Sequence, residues 1–139
     1  MKILYKLASY CLIIIGIGHL CGHFFLAPDS SQTSLMMQSM RDYKINMLGI
    51  HSLLDFHEGF SMLMGFMILG FGLQTLFTSE YTFTNPKGNR NFILVILVSI
   101  AVFVVSLKYF FIVPQIFSFL ASLFFVLSFI LQIKKANRF

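Results

Sequence analysis

The 139-residue chain has no tryptophan, two cysteines, three prolines and only five acidic residues. Each shortage removes a class of explanation. Without tryptophan, an aromatic belt at a membrane–water boundary has to come from Tyr5, Tyr10, Tyr43, Tyr81 and Tyr109. Two cysteines cannot staple a disulfide scaffold. Cys11 and Cys21 lie on one apolar stretch, about 15 Å apart along a helix, too far for a mutual bond. Neither follows a lipobox, so both read as small apolar core residues. Charged side chains make up 11% of the chain, and the net charge of +5 is dispersed over its ends and loops. No basic stripe exists to track phosphates, which excludes a nucleic-acid partner.

What is present is apolar: 58% of residues are hydrophobic, and the mean hydropathy is +0.85. Arranged in long runs, that excess predicts a polytopic membrane protein. Four stretches, at about 5–27, 47–77, 92–113 and 114–133, each reach the roughly 20 helical residues that cross ~30 Å of hydrocarbon. The expected fold is all-α, a single transmembrane four-helix bundle. Lys2 and Lys6 before an apolar run resemble a signal peptide, but no small-x-small cleavage site follows, and the segment reads as a retained first helix. "FIVPQ" predicts a tight reversal at Pro114 between the last two spans.

The first loop contains a short amphipathic segment with Leu35, Met36 and Met40, capped by Asp29 or Ser30. The second, "TSEYTFTNPKGNRN", reads as an ordinary turn region. Seven of the ten Lys and Arg residues fall at the chain ends and in the second loop; Arg41, Lys44 and Lys108 fall on the other side. The positive-inside rule then puts both termini in the cytoplasm of a bacterial inner membrane.

Against this background "HSLLDFHEGF", residues 51–60, is anomalous. On a continuous helix His51, Asp55 and Glu58 share one face, whereas His57 points elsewhere. His19 and His23 form a matching pair on the first span, with Gly16 and Gly22 near the same face. If spans alternate in direction, His23 falls level with His51 and His19 level with Asp55, with Lys108 and Tyr109 in the same outer leaflet. An ionised group in hydrocarbon costs at least about 2.5 kcal/mol unless paired or wetted, so the cluster marks a candidate site. His19, His23, His51 and Asp55 could ligate a divalent metal such as Zn, Mn or Fe, with haem ranked behind. Glu58, Lys108 and Tyr109 are candidate cofactor contacts. The plainer reading is a set of interhelical hydrogen bonds and ion pairs. The methionines read as flexible filling.

The stretches "IGHLCGHFFLAPD", "MRDYKINMLGIHSLLDFHEGFSMLMGF" and "YFFIVPQIFSFLASLFFVL" resemble an uncharacterised family of small four-helix bacterial membrane proteins, with a layout similar to DoxX-like proteins. The resemblance maps onto His19, His23, Gly49, Asp55, Phe56, Gly59 and Pro114. His57 stands where the family shows Tyr, and Glu58 falls at a variable position. It implies a fold but no activity.

Three functions follow. The first is a polar pocket in the outer leaflet that binds a metal ion or a small amphipathic ligand, such as a quinone or a lipid. The second is an accessory subunit of a membrane complex, or a homo-oligomer, packing through Gly59, Gly65, Gly70 and Gly72. The third is a redox or isomerase enzyme with Asp55 or Glu58 as proton carrier. No internal repeat or broken-helix pair supports a transporter.

Overall fold

A backbone inside a bilayer must satisfy its own polar groups, and the long apolar stretches do so as helices. The computed structural model describes residues 1–25, 31–46, 49–85 and 88–136. Within them the order is α1 (Lys2–Phe25), α2 (Ser31–Asp42), β1 (Lys44–Asn46), β2 (Ile50–Ser52), α3 (Leu53–Phe77), α4 (Ser79–Thr84), α5 (Gly88–Tyr109) and α6 (Ile112–Ala136). Helices α1, α3, α5 and α6 are long and apolar enough to cross a membrane. The protein is an all-α membrane four-helix bundle.

Several boundaries differ from the sequence expectation. The second span does not begin near residue 47. Residues 44–46 and 50–52 pair as a small antiparallel hairpin, with Ile45 opposite His51, and Gly49 beside its tip adopts a φ of +153° that side-chain-bearing residues rarely take. The helix starts at Leu53 because Ser52 and Asp55 form a reciprocal capping box. The Asp55 amide donates to Ser52 Oγ (3.0 Å) and the Ser52 amide donates to the Asp55 carboxylate (2.8 Å). The reversal between the last two spans falls at residues 110–111, not at Pro114. Pro114 sits in the first turn of α6, where its missing amide hydrogen has no intrahelical partner to lose. The second loop is not merely a turn, since it contains α4. A surface helix, α2, does occupy the first loop; its expected caps Asp29 and Ser30 lie outside the described residues.

One end of the bundle is sealed by aromatic rings. Tyr5 is fully buried, so it is a core residue and not part of an interfacial belt. It packs edge-on against Phe83, Phe92 and Phe125, with centroids 5.5, 4.9 and 5.0 Å away, each such pair contributing about 0.5–1.5 kcal/mol beyond burial. Cys11 is buried as expected, but Cys21 is exposed. At the same end Lys2 bridges Glu80 at 2.6 Å, Ser128 donates to the Met1 carbonyl (2.8 Å), and Gln132 donates to Asn89 (2.9 Å).

The helices are arranged as α3, α1, α6, α5: α1 packs on both α3 and α6, and α5 packs on α6. Glycines set the α1–α3 distance. A Cβ at Gly16 would lie 2.6–2.7 Å from the Leu69 backbone and Cβ, and one at Gly72 would lie 2.9 Å from the Ile13 amide nitrogen. Thr75 adds a buried hydrogen bond to Ser9 (2.9 Å). Among the described residues α3 and α5 share no packed interface, so the ring of four helices is open on that side.

Candidate functional site

The open side is a groove. A cavity of about 1050 Å³ has walls from α3 and α5, with α1 and α6 behind it. Ile15, Met67, Ile68, Val102 and Phe117 make most of it apolar, and Gly18 and Gly22 form part of its floor. Along α3 it runs from Phe60 to Gln74, about 21 Å at helical rise, or two thirds of the hydrocarbon thickness. The Tyr5 cluster lies at the closed end of the molecule, and His19, His23 and Phe110 border the other end of the groove.

The polar groups in the groove are few and mostly committed. Ser106 and Ser118 bond each other at 2.7 Å across α5 and α6. His19 Nε2 lies 3.0 Å from both the carbonyl oxygen and the Oγ of Ser61. The His19 ring meets Phe110 edge-to-face at 6.2 Å and stands where a Cβ on Gly65 would come within 3.1 Å of it. Histidine beside serine at this separation matches an activated nucleophile. The carbonyl argues otherwise: a carbonyl oxygen can only accept, so a hydrogen bond to it requires the tautomer with hydrogen on Nε2, which takes no proton from Ser61. The contact is an interhelical tie between α1 and α3. Short polar residues inside an apolar run, such as Ser61 in "GFSMLMGF", are the sequence signal for it.

The sequence-predicted cluster divides. His19 and His23 line the groove. His51 and Asp55 line a smaller hollow of about 420 Å³ between the hairpin and α3, and the two spaces share only Phe60 and Leu63. The expected alignment of His23 with His51, and of His19 with Asp55, is corrected by the helix register. Ile13 lies opposite Gly72, Gly16 opposite Leu69 and His19 opposite Gly65, which puts His23 level with Ser61. His51 falls ten residues beyond that level and belongs to β2, so it does not share a helical face with Asp55 and Glu58. Among the described residues no three His, Cys, Asp or Glu side chains come together in a group that could hold a metal ion. Asp55 is occupied as a helix cap. Glu58 is half-buried and lines neither space. Lys108 and Tyr109 are exposed at the end of α5, the ammonium 5.1 Å from the Tyr109 ring, outside the groove lining.

Among the glycines named for packing, Gly65 and Gly72 are buried against α1, whereas Cβ atoms on Gly59, Gly70 and the groove residue Gly18 would meet nothing within 4 Å. Gly18 was not singled out from the sequence, although the Gly18–Gly22 spacing marks a small-residue face. Comparison with protein-family models, curated proteins and solved structures gives no match.

Proposed function

We propose that this membrane protein binds a long-chain amphiphile, a lipid or a quinone-like molecule, in the groove between α3 and α5. One observation carries the reading: the two helices that would close the bundle leave an apolar slot of about 1050 Å³ between them, with hydrogen-bonding groups concentrated at one end. The volume lies at the upper limit of small-molecule clefts. Its length along the helices fits an extended tail better than a compact ligand, and its open side lets a molecule enter from the surrounding lipid. The divalent-metal form of the proposal has less support, because its four ligands divide between two spaces.

The test uses Gly18→Leu. A Cβ at Gly18 meets nothing within 4 Å, so the variant should project its side chain into the slot and spare the α1–α3 contact at Gly16. A fluorescent fatty-acid probe should bind the wild-type chain saturably and bind the variant at least about tenfold more weakly, the factor expected from losing ~1.4 kcal/mol. Equal binding to both rejects the groove. Elemental analysis of chelator-free protein examines the metal form separately, and stoichiometric metal lost in both His19→Ala and His51→Ala would restore it.

With this we propose that the chain belongs with the small four-helix bacterial proteins it resembles, inserted in the inner membrane with both termini cytoplasmic and the groove's polar end in the outer leaflet. The open glycine positions Gly59 and Gly70 favour a second reading, an accessory subunit docking on α3. Copurifying membrane chains that are lost in Gly70→Leu would support it.

A further inference from the structure

We propose that the groove selects ligands with a hydroxyl head, donated to Nδ1 of His19, so that it takes long-chain alcohols or phenols in preference to ethers of the same length. This rests on the groove reading and adds the chemistry of the head. The starting point is a proton assignment. His19 Nε2 is 3.0 Å from the Ser61 carbonyl, which cannot donate, so we assign the ring hydrogen to Nε2. In the neutral ring Nδ1 then holds the lone pair and is an acceptor.

That acceptor is free and open. Among the described residues, Nδ1 has no protein hydrogen-bond partner. The unpartnered side-chain atoms that are sealed are Tyr5 Oη and Gln132 Oε1, not this nitrogen. His19 lines the groove, and the proposal takes Nδ1 as the ring atom presented to it. The ring is also held in place: Nε2 is tethered to Ser61, the Phe110 ring packs T-shaped against it, and glycine at position 65 leaves room for its Cδ2 edge.

The other hydroxyls lining the slot already have protein partners. Ser61 Oγ is engaged with His19. Ser106 and Ser118 share their two protons among three contacts, with each other and with the carbonyls of Phe103 and Gln115. A ligand hydroxyl thus meets an acceptor at His19, with an apolar slot for its tail running back toward Gln74. An ether in the same pose leaves Nδ1 desolvated and unpaired, and that unmade bond is the basis of discrimination.

Dodecylphenol and its methyl ether, which differ only in the donor, are the probes. Their binding to the full chain in lipid nanodiscs is read by displacement of the fluorescent fatty acid and by native mass spectrometry. The phenol should bind about tenfold more tightly than the ether. In His19→Phe, which keeps a ring in place, the ratio should fall to about one. Ser61→Ala keeps the backbone carbonyl and should keep the preference, which supplies a readout even if His19→Phe does not fold. Equal binding of the two probes to the wild type, blocked by Gly18→Leu, overturns the hydroxyl inference and leaves the groove reading standing. If neither probe binds, or a second copy of the chain covers the groove and excludes both, both proposals fall.

Discussion

Two glycines separated by one residue have opposite jobs. Gly16 presses α1 onto the Leu69 backbone, whereas Gly18 faces empty groove. Gly16→Ala should therefore cost about 1–3 kcal/mol, because backbone cannot yield as a flexible side chain does. Gly18→Ala should lie within about 1 kcal/mol of wild type, on the stabilising side, through helix propensity alone. Unfolding in mixed micelles separates the two, and similar losses at both sites would reject the assigned packing. Asp55 offers a second contrast. As the third helical residue of a capping box, it should tolerate Asn, which still presents an acceptor to the Ser52 amide. Ala should cost roughly 0.5–2 kcal/mol and speed hydrogen exchange in the first turn of α3. A loss of probe binding in Asp55→Asn with stability intact would instead assign the carboxylate to ligand recognition. The polar residues His51, Asp55 and Glu58 of "HSLLDFHEGF" were visible as residue types, but the use of Asp55 in a cap was not. Whether Asp55 caps a helix or lies inside one depends on where α3 begins.

Among the elements, α4 ties the closed end of the molecule to the start of α1. The Lys2 ammonium donates a hydrogen bond to the Glu80 carboxylate, and with its charge holds that group below the usual glutamate range. A carboxyl whose folded-state pKa is lowered contributes its stability above the ordinary glutamate range and loses it as pH falls through the lowered value. The melting temperature of the wild type should thus drop relative to Glu80→Gln as pH falls from about 6 to 3. The difference should be small and vanish at high salt, since both groups are exposed. Parallel pH profiles for the two proteins would show that the bridge contributes nothing. The four spanning elements and α2 were legible in hydropathy and spacing. The hairpin was not, because two strands of three residues carry too little periodicity to register. Neither was α4, whose six residues include no apolar repeat.

At the scale of the molecule, the helix order α3–α1–α6–α5 makes α1 the central element and leaves the two outer helices apart. Lys2, Lys6, Arg90, Lys134 and Lys135 are carried on the termini and the α4–α5 end, opposite the hairpin. If the proposed orientation is correct, a cytoplasm-active reporter fused to either terminus should be active, and a periplasm-active reporter inserted in the α1–α2 connection should be active too. The reverse pattern would invert the protein and move the groove's polar end to the inner leaflet. Closing the groove offers a second check. A cleavable bis-maleimide bridge between cysteines placed at Met67 and Val102, on the two walls of the slot, should abolish probe binding when formed and restore it on cleavage. Unchanged binding in the crosslinked protein would show that the ligand sits elsewhere.

Membrane insertion, the number of spans, the surface helix and the two histidines on one face of α1 follow from composition and period alone, because each depends only on neighbours along the chain. The depth at which α1 meets α3, and hence the separation of His19 and His23 from His51 and Asp55, depends on which glycines interlock: Gly16 with Leu69, and Gly72 with Ile13. The groove depends on the lack of a packed α3–α5 interface among the described residues. Neither can be read from local pattern. Relative register and missing packing are properties of pairs of helices distant in the chain, decided by how close their backbones can come.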